Sequence, residues 1–139
     1  MALRRSALRV GQVHEELLVD DLKRSQIVMY AGASGDFHPI HTDETYARSL
    51  GMPGVFGHGM LTMGITGRAL TNFVGDGRLS RYSARFRGQV WPGDTLRARV
   101  TVDAIREENG IPLVDLSLST TNQKGEEVLA GSASARIDP

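Results

Sequence analysis

The sequence lacks cysteine, carries no net charge and has no long apolar run. Without cysteine there is no disulfide framework, no thiolate metal ligand and no cysteine nucleophile. Because 16 Lys and Arg balance 16 Asp and Glu, no overall attraction to nucleic acid or to an anionic membrane is indicated. No segment approaches the roughly 20 apolar residues of a membrane span, and no apolar run of signal-peptide length follows the basic start. We therefore expect a cytoplasmic protein that binds neither nucleic acid nor membrane.

Length and composition indicate one folded domain. Of the 139 residues, 40% are hydrophobic and 23% are charged, which is ordinary for a globular protein. A domain of this size hides roughly two-thirds of its unfolded surface, so its core needs no metal or disulfide. No repeat, low-complexity tract or linker-like segment divides the sequence. We predict a single domain over residues 1–139.

Charge is unevenly distributed along the chain. Residues 14–46 lean acidic, whereas residues 78–106 lean basic through their arginines. Solvated strand faces are the simpler explanation of the basic stretch. The alternative is a local patch that binds a phosphate group.

The N-terminal part of the chain predicts a strand followed by a helix. The strand covers residues 12–19, and the helix covers residues 22 to about 31, with apolar residues at helical spacing. Asp20 or Asp21 suits the N-cap, because a short carboxylate accepts hydrogen bonds from free N–H groups of the first turn. Gly32 is placed to end this helix.

A loop and a short second helix come next. The loop is predicted at residues 33–42. Asp43 is placed to cap a helix that runs to Leu50, and Gly51 then occupies the position after a helix where glycine is favoured.

Residues 59–74 predict a buried helix. Apolar side chains occupy all its faces, and Arg68 is its one charged residue, which is typical of a helix surrounded by protein. The glycines of this segment are poor for an isolated helix but suit one that a sheet wraps closely.

The C-terminal half predicts antiparallel strands. Apolar and polar residues alternate at 82–87, 96–103 and 114–119, and a last strand is expected at about 127–136. The intervening turn sequences lie at 91–94, 108–110 and 123–125. Period-2 runs predict strands with one face in water. We therefore predict an α+β domain in which an antiparallel meander curls around the buried helix.

One loop carries a carboxylate and an imidazole. Asp36 and His41 lie five residues apart, with Gly35 to let the chain bend and Pro39 to restrict it. Together the two side chains can hold a water, one taking its proton while the other donates a hydrogen bond or returns a proton. The alternative is that both are solvated or turn-forming residues.

A second motif stands where the buried helix begins. In Phe56-Gly57-His58-Gly59, a glycine opens the helix, and the first N–H groups of a helix have no internal partner. They can receive a carbonyl oxygen that becomes an enolate. The alternative is that the glycine serves only close contact with the sheet.

Together the two motifs resemble the MaoC-like family of (R)-specific enoyl-CoA hydratases and (3R)-hydroxyacyl dehydratases. The resemblance spans essentially the whole chain. The matching residues of the first motif are Tyr30, Gly35, Asp36, Pro39, Ile40, His41 and Ala47. Those of the second motif are His58, Gly59 and Met60.

The resemblance implies a hot-dog fold, in which an antiparallel sheet wraps a long central helix. It implies that Asp36 and His41 activate water and that the Gly59 N–H polarises a thioester carbonyl. The substrate would be a thioester of CoA or of an acyl carrier protein, without a cofactor. It further implies a homodimer whose sheets join edge to edge, with a heterodimer or a higher oligomer as alternatives. The candidates for binding the carrier are Arg85, Arg87, Arg97 and Arg99.

The chain departs from the family pattern at two positions. His38 stands where the family usually has asparagine, and Gly67 stands roughly where some members have a serine facing the site. We expect His38, Gly67 and Met60 to line the site, and His58 to line it or to hold the start of the buried helix.

A metal centre is one alternative. Its oxygen and nitrogen ligands would be Asp36, His38, His41 and Asp43. No further His-Glu motif supports such a site, and we predict no metal.

Two alternatives keep the fold but change the function. Many thioesterases of this fold place a carboxylate on the central helix, but residues 59–74 contain none. A non-catalytic partner subunit of a heterodimeric dehydratase is expected to lack part of the site, whereas this chain keeps Asp36, His41 and Gly59. An active hydratase is therefore favoured.

Overall fold

Five antiparallel strands form one sheet in the computed structural model, which describes residues 3–139. The strands are β1 (Val13–Val19), β2 (Leu79–Phe86), β3 (Leu96–Glu108), β4 (Ile111–Thr121) and β5 (Glu127–Arg136). Their order across the sheet is β1-β3-β4-β5-β2. The hairpins β3–β4 and β4–β5 therefore form the centre, and β1 and β2 are the edges. The predicted alternation holds in β3, where Leu96, Ala98, Val100 and Val102 are buried.

Strand β2 does not continue the predicted meander into β3. It pairs with β5 at the far edge, with Tyr82 opposite Ala133. The segment between β2 and β3 packs against the helical half of the chain. The Gly57 N–H donates to the Val90 carbonyl at 2.7 Å, and the Gly93 N–H donates to the Leu22 carbonyl at 2.7 Å. The turn at 91–94 therefore belongs to a crossing connection and not to a hairpin.

The first helix begins and ends later than the sequence predicted. Helix α1 covers Arg24–Ser34. Asp20 is not its cap, since its carboxylate accepts from the Thr95 hydroxyl at 2.9 Å. Asp21 adopts a left-handed backbone, with φ at 58°. Gly35, with φ at 77°, ends the helix, because the left-handed conformation costs glycine little.

The short second helix follows the prediction. Helix α2 covers Glu44–Ser49, and the Asp43 carboxylate accepts from the Tyr46 N–H at 3.1 Å. Gly51 follows with φ at 82°. Within the predicted loop, Pro39–His41 form one 3-10 turn.

The central helix has the predicted bounds. Helix α3 covers Gly59–Val74 and packs its C-terminal half into the sheet. Thr66 and Thr120 share a hydrogen bond of 2.7 Å across this contact. The prediction of burial on every face is wrong for one stripe. Met60, Gly64, Arg68 and Asn72 are exposed in the single chain, and they share one face because they are spaced four residues apart.

None of the helices within residues 3–139 is both long and apolar enough to cross a membrane. The cytoplasmic location stays a prediction.

Candidate active site

The loop that carries Asp36 is shaped by its own side chains. We call residues 34–42 the dyad loop. The Asp36 N–H donates to the Ser34 hydroxyl at 3.1 Å, and the His38 N–H donates to the Asp36 carboxylate at 3.3 Å. The His38 Nδ1 accepts from the Ile40 N–H at 3.2 Å and so caps the 3-10 turn. These local bonds give the exposed loop a defined shape.

The hydrogen bond of His41 defines its tautomer. Its Nδ1 lies 2.6 Å from the Phe56 carbonyl oxygen, which can only accept. Nδ1 therefore donates, and the neutral ring carries its free lone pair on Nε2.

The surroundings of His41 favour the neutral ring. Burial is the largest influence and lowers the pKa of His41, while the bond to Phe56 raises it. Among the nearby side chains, His58 and His38 lower the pKa of His41 and Asp36 raises it. The net pKa is lower than usual, so Nε2 can accept a proton at neutral pH.

His58 lies beneath the dyad loop and is only 2% exposed. Its Nε2 donates to the backbone carbonyl of Asp36 at 3.0 Å. Its ring stacks on that of His41, with centroids 3.8 Å apart and planes 23° apart. The Tyr30 ring of α1 meets the His58 ring edge-on at 4.9 Å. From the sequence, His58 was expected to line the site or to hold the start of the buried helix.

The structure brings together the side chains of Asp36, His41 and His58. One carboxylate oxygen of Asp36 and one ring nitrogen of each histidine all lie within 4.8 Å of one another. This is not the metal set considered from the sequence, because Asp43 caps α2 and His38 caps the 3-10 turn. The cluster also fits a metal poorly. The two rings are stacked with planes 23° apart, so their lone pairs lie in nearly parallel planes, whereas metal ligands must converge on a point about 2 Å away.

The start of α3 opens into a cleft. No side chain within residues 3–139 caps this helix, and the N–H groups of Leu61 and Thr62 both donate to the His58 carbonyl, at 3.1 and 3.3 Å. The cleft has a volume of about 390 Å³, and its walls include Phe56, Gly59, Thr62, Phe86 and Val90. Gly59, at the start of the helix, therefore lies beside a space large enough for a ligand.

Of the residues expected at the site, Gly59 is in the walls of this cleft, whereas Asp36, His38, His41, His58, Met60 and Gly67 are not. Met60 is 54% exposed on the open stripe of α3. Gly67 lies against Tyr82, whose Cε2 would be 3.3 Å from an added Cβ. The Tyr82 hydroxyl donates to the Met63 carbonyl at 2.7 Å, and burial raises the pKa of Tyr82 to about 12. The glycine therefore lets this ring lie close to the helix.

Two residues that the sequence did not single out contribute to the site. Phe56 accepts the His41 hydrogen bond and also lines the cleft, so it connects the two. Its place beside the second motif was an available signal. Phe86 lies over Gly59, where its ring would be 2.7 Å from an added Cβ. No local pattern pointed to Phe86, because the contact joins β2 to α3.

The chain belongs to the MaoC-like domain family, whose model matches residues 7–124. The (R)-specific enoyl-CoA hydratase of Rhodospirillum rubrum is 30% identical over 122 residues, which cover 86% of this chain and 83% of that protein. The fatty acid synthase subunit beta of Aspergillus oryzae is 36% identical over 109 residues. Those residues are 76% of this chain but only 5% of that protein. The chain thus matches a small part of some much longer relatives.

Solved structures confirm the predicted hot-dog fold. The unliganded R-hydratase of Pseudomonas aeruginosa superposes with a TM-score of 0.87 at 26% identity, covering 99% of this chain and 86% of that one. The (R)-hydratase of A. caviae gives a TM-score of 0.84 at 27% identity, covering 94% of this chain and 98% of that one.

Proposed function

We propose that this protein reversibly adds water to the C2–C3 double bond of a trans-2-enoyl thioester, giving a (3R)-3-hydroxyacyl thioester. The observation that supports the proposal is that an Asp36 carboxylate oxygen and a His41 ring nitrogen lie within 4.8 Å of each other. His41 is also bonded to the carbonyl of Phe56, which is a residue of the cleft wall. The likeness to proteins named hydratases supports the same reaction.

In the hydration direction, Asp36 and His41 would share one water. The water donates one hydrogen bond to an Asp36 carboxylate oxygen and the other to His41 Nε2. His41 Nε2 then takes that second proton, and the water oxygen adds to C3. The lowered pKa of His41 supports this role, since the ring must begin neutral. The imidazolium then returns its proton to C2. One hydrogen and one hydroxyl have then been added, and the protein is unchanged.

The start of α3 would stabilise the intermediate. When water adds to C3, the electron pair of the double bond moves toward the thioester oxygen, which becomes an enolate oxygen. The Gly59 N–H would donate to that oxygen, and the positive end of the helix favours its charge. The absence of a side-chain cap on α3 within residues 3–139 supports this role.

The acyl carrier would be CoA or an acyl carrier protein. Both carry a phosphate that arginine recognises well. Of the four candidate arginines, Arg87 lines the same cleft as Gly59. Arg97 and Arg99 lie instead in a separate groove on the sheet. Arg87 also has an acidic neighbour, since its Nε is 3.4 Å from a Glu127 carboxylate oxygen, so its position in the cleft is what distinguishes it. We therefore favour Arg87 as the contact to the carrier.

A homodimer is part of the proposal. Strands β1 and β2 leave free edges, which proteins normally pair or cover. Several large apolar side chains are between 51% and 68% exposed, including Val28, Met29, Phe37, Met60 and Phe86. Light scattering should give twice the chain mass of 15.1 kDa. A clean monomer at micromolar concentration would contradict the dimer.

The reaction is tested by the loss of enoyl absorbance with crotonyl-CoA and with a longer enoyl-CoA. His41→Gln removes the base and should lose about 10²-fold or more in kcat, as positioned acid–base groups do. Asp36→Asn should lose a similar factor, because it removes the carboxylate charge that favours the imidazolium of His41. KM should change less, because neither side chain is expected to supply most of the acyl binding.

Matched controls come from the same residue types elsewhere. His14→Gln and Asp103→Asn change side chains on β1 and β3 that bond Glu16 and Ser117. Both should keep the wild-type rate. Near-normal turnover in a folded Asp36→Asn or His41→Gln variant would exclude the pair from catalysis.

A further inference from the structure

Two segments of the site are joined by a reciprocal pair of histidine contacts. His41, on the dyad loop, donates to the carbonyl of Phe56 at 2.6 Å. His58, immediately before α3, donates back to the carbonyl of Asp36 at 3.0 Å. Each histidine thus binds the backbone of the segment that carries the other, which fixes the dyad loop against the start of α3.

The His58 side chain has one tautomer that fits this arrangement. The Asp36 carbonyl can only accept, so Nε2 of His58 keeps its hydrogen. Nδ1 of His58 is buried and has no hydrogen-bond partner among residues 3–139. A proton on Nδ1 would therefore be a buried donor without an acceptor, which is costly. The tautomer with its hydrogen on Nε2 therefore fits both contacts of the His58 ring.

We propose that His58 is a positioning residue that acts on the dyad in two separable ways. Its N–H fixes the backbone of Asp36 relative to Gly59, and its ring shields one face of His41 from water. The first contact sets the geometry and the second keeps His41 neutral. This role rests on the proposed hydratase function, in which Asp36 and His41 share a water.

The other groups that face this pair come from three elements. Asp36 and His38 approach His41 from the dyad loop itself. Tyr30 of α1 meets the His58 ring, and Tyr46 of α2 meets the His38 ring at 5.8 Å. Of these groups, His58 has the ring stacked on His41, and burial is the largest cause of the lowered pKa of His41. Loss of the His58 ring should therefore raise the pKa of His41.

Two substitutions separate the contacts. His58→Gln keeps an N–H that can reach the Asp36 carbonyl but removes the ring. The pKa of His41 should rise, and the acid limb of kcat/KM should move to higher pH, because the neutral ring is then lost at a higher pH. His58→Phe keeps a stacking ring but removes the donor. Its kcat should fall by roughly 10-fold to 100-fold, as small misplacements of catalytic groups do, while the His41 titration stays near that of the wild type.

The deciding measurement is the NMR titration of the His41 ring protons in the wild type and both variants. It needs no substrate, so it tests the shielding even if the protein proves to have no hydratase activity. His14→Gln serves as the control and should change neither the titration nor the rate. If His58→Phe does not fold, the His58→Gln titration decides the proposal alone. Superimposable titrations of the wild type and His58→Gln, or wild-type kcat in both variants, would overturn it.

Discussion

The dyad loop and the centre of the sheet are held together by different forces. At the centre, Val100, Leu116 and Leu129 are completely or almost completely buried in one apolar cluster. In the dyad loop, Asp36 and neighbouring residues are exposed, and the shape comes from short polar contacts within the loop and with the start of α3. A buried leucine contributes roughly 1.5–3 kcal/mol, whereas a typical hydrogen bond contributes about 0.5–1.5 kcal/mol.

The centre of the sheet should therefore determine the stability of the fold, and the dyad loop should determine the rate of the reaction. A change in the centre of the sheet should lower the free energy of unfolding without altering the site. A change at the site should alter the rate with little effect on unfolding. The comparison fails if either region controls both properties.

The largest effect is expected from Leu116→Ala. This side chain is 1% exposed in the core of β4, and truncating a buried leucine to alanine costs roughly 2–5 kcal/mol. Urea denaturation measures the loss, and kcat is measured at low temperature on the folded fraction. We expect kcat to equal that of the wild type. A large fall in kcat of the folded protein would mean that the core also sets the site geometry.

The contrast also explains how much of the fold could be predicted. The apolar run at residues 59–74 gave α3 its correct bounds, and β5 lies where the last strand was expected. The Asp43 cap and Gly51 marked the ends of α2. The start of α1 was wrong because Asp20 bonds Thr95, which lies 75 residues away. The neighbour of β2 was also wrong, since alternation identifies a strand but not the strand it pairs with.

In the site, as in the fold, residues within one motif could be predicted, whereas contacts between distant segments could not. Asp36 and His41 could be paired because one short loop carries both, and Gly59 could be proposed because it opens a helix. The His58 contact joins residues 22 apart in the sequence, and the Phe86 contact with Gly59 joins a strand to a helix. Such contacts depend on how the elements pack, so no local motif contained them.

Gly59→Ala should give the second-largest effect. An alanine Cβ would lie 2.7 Å from the Phe86 ring, which is 51% exposed and can turn outward. Stability should therefore change little, while kcat/KM falls by roughly 10-fold to 100-fold, as misplacement by about 1 Å at a site does. Rates and urea denaturation are measured together.

Gly64→Ala is the matched control on the same helix. Apart from the backbone of its own helix and its two chain neighbours, no described atom lies within 4 Å of its added Cβ, and alanine favours a helix over glycine by up to about 1 kcal/mol. This variant should be slightly more stable than the wild type and fully active. Equal losses of kcat/KM in the two variants would mean that glycine matters for the helix as a whole and not for the cleft.

The smallest effect is expected from His38→Asn, which restores the residue usual at this position. The His38 Nδ1 accepts from the Ile40 N–H at 3.2 Å, and an asparagine side-chain oxygen can accept the same bond two residues on. The dyad loop should therefore keep its shape, and the maximal rate should stay close to that of the wild type.

What His38→Asn removes is an imidazole that lowers the pKa of His41. The His38 and His41 ring centroids are 6.3 Å apart, and His38 is the last of the influences that lower the pKa of His41. Without it the pKa of His41 should rise slightly, so the acid limb of kcat/KM should move to higher pH. The shift should be smaller than in His58→Gln, because His38 is exposed and water screens its charge. The measurement is kcat/KM against pH at low and high salt, and high salt should reduce the difference from the wild type. A shift as large as that of His58→Gln would show that charge on the loop, and not burial by the stacked ring, keeps His41 neutral.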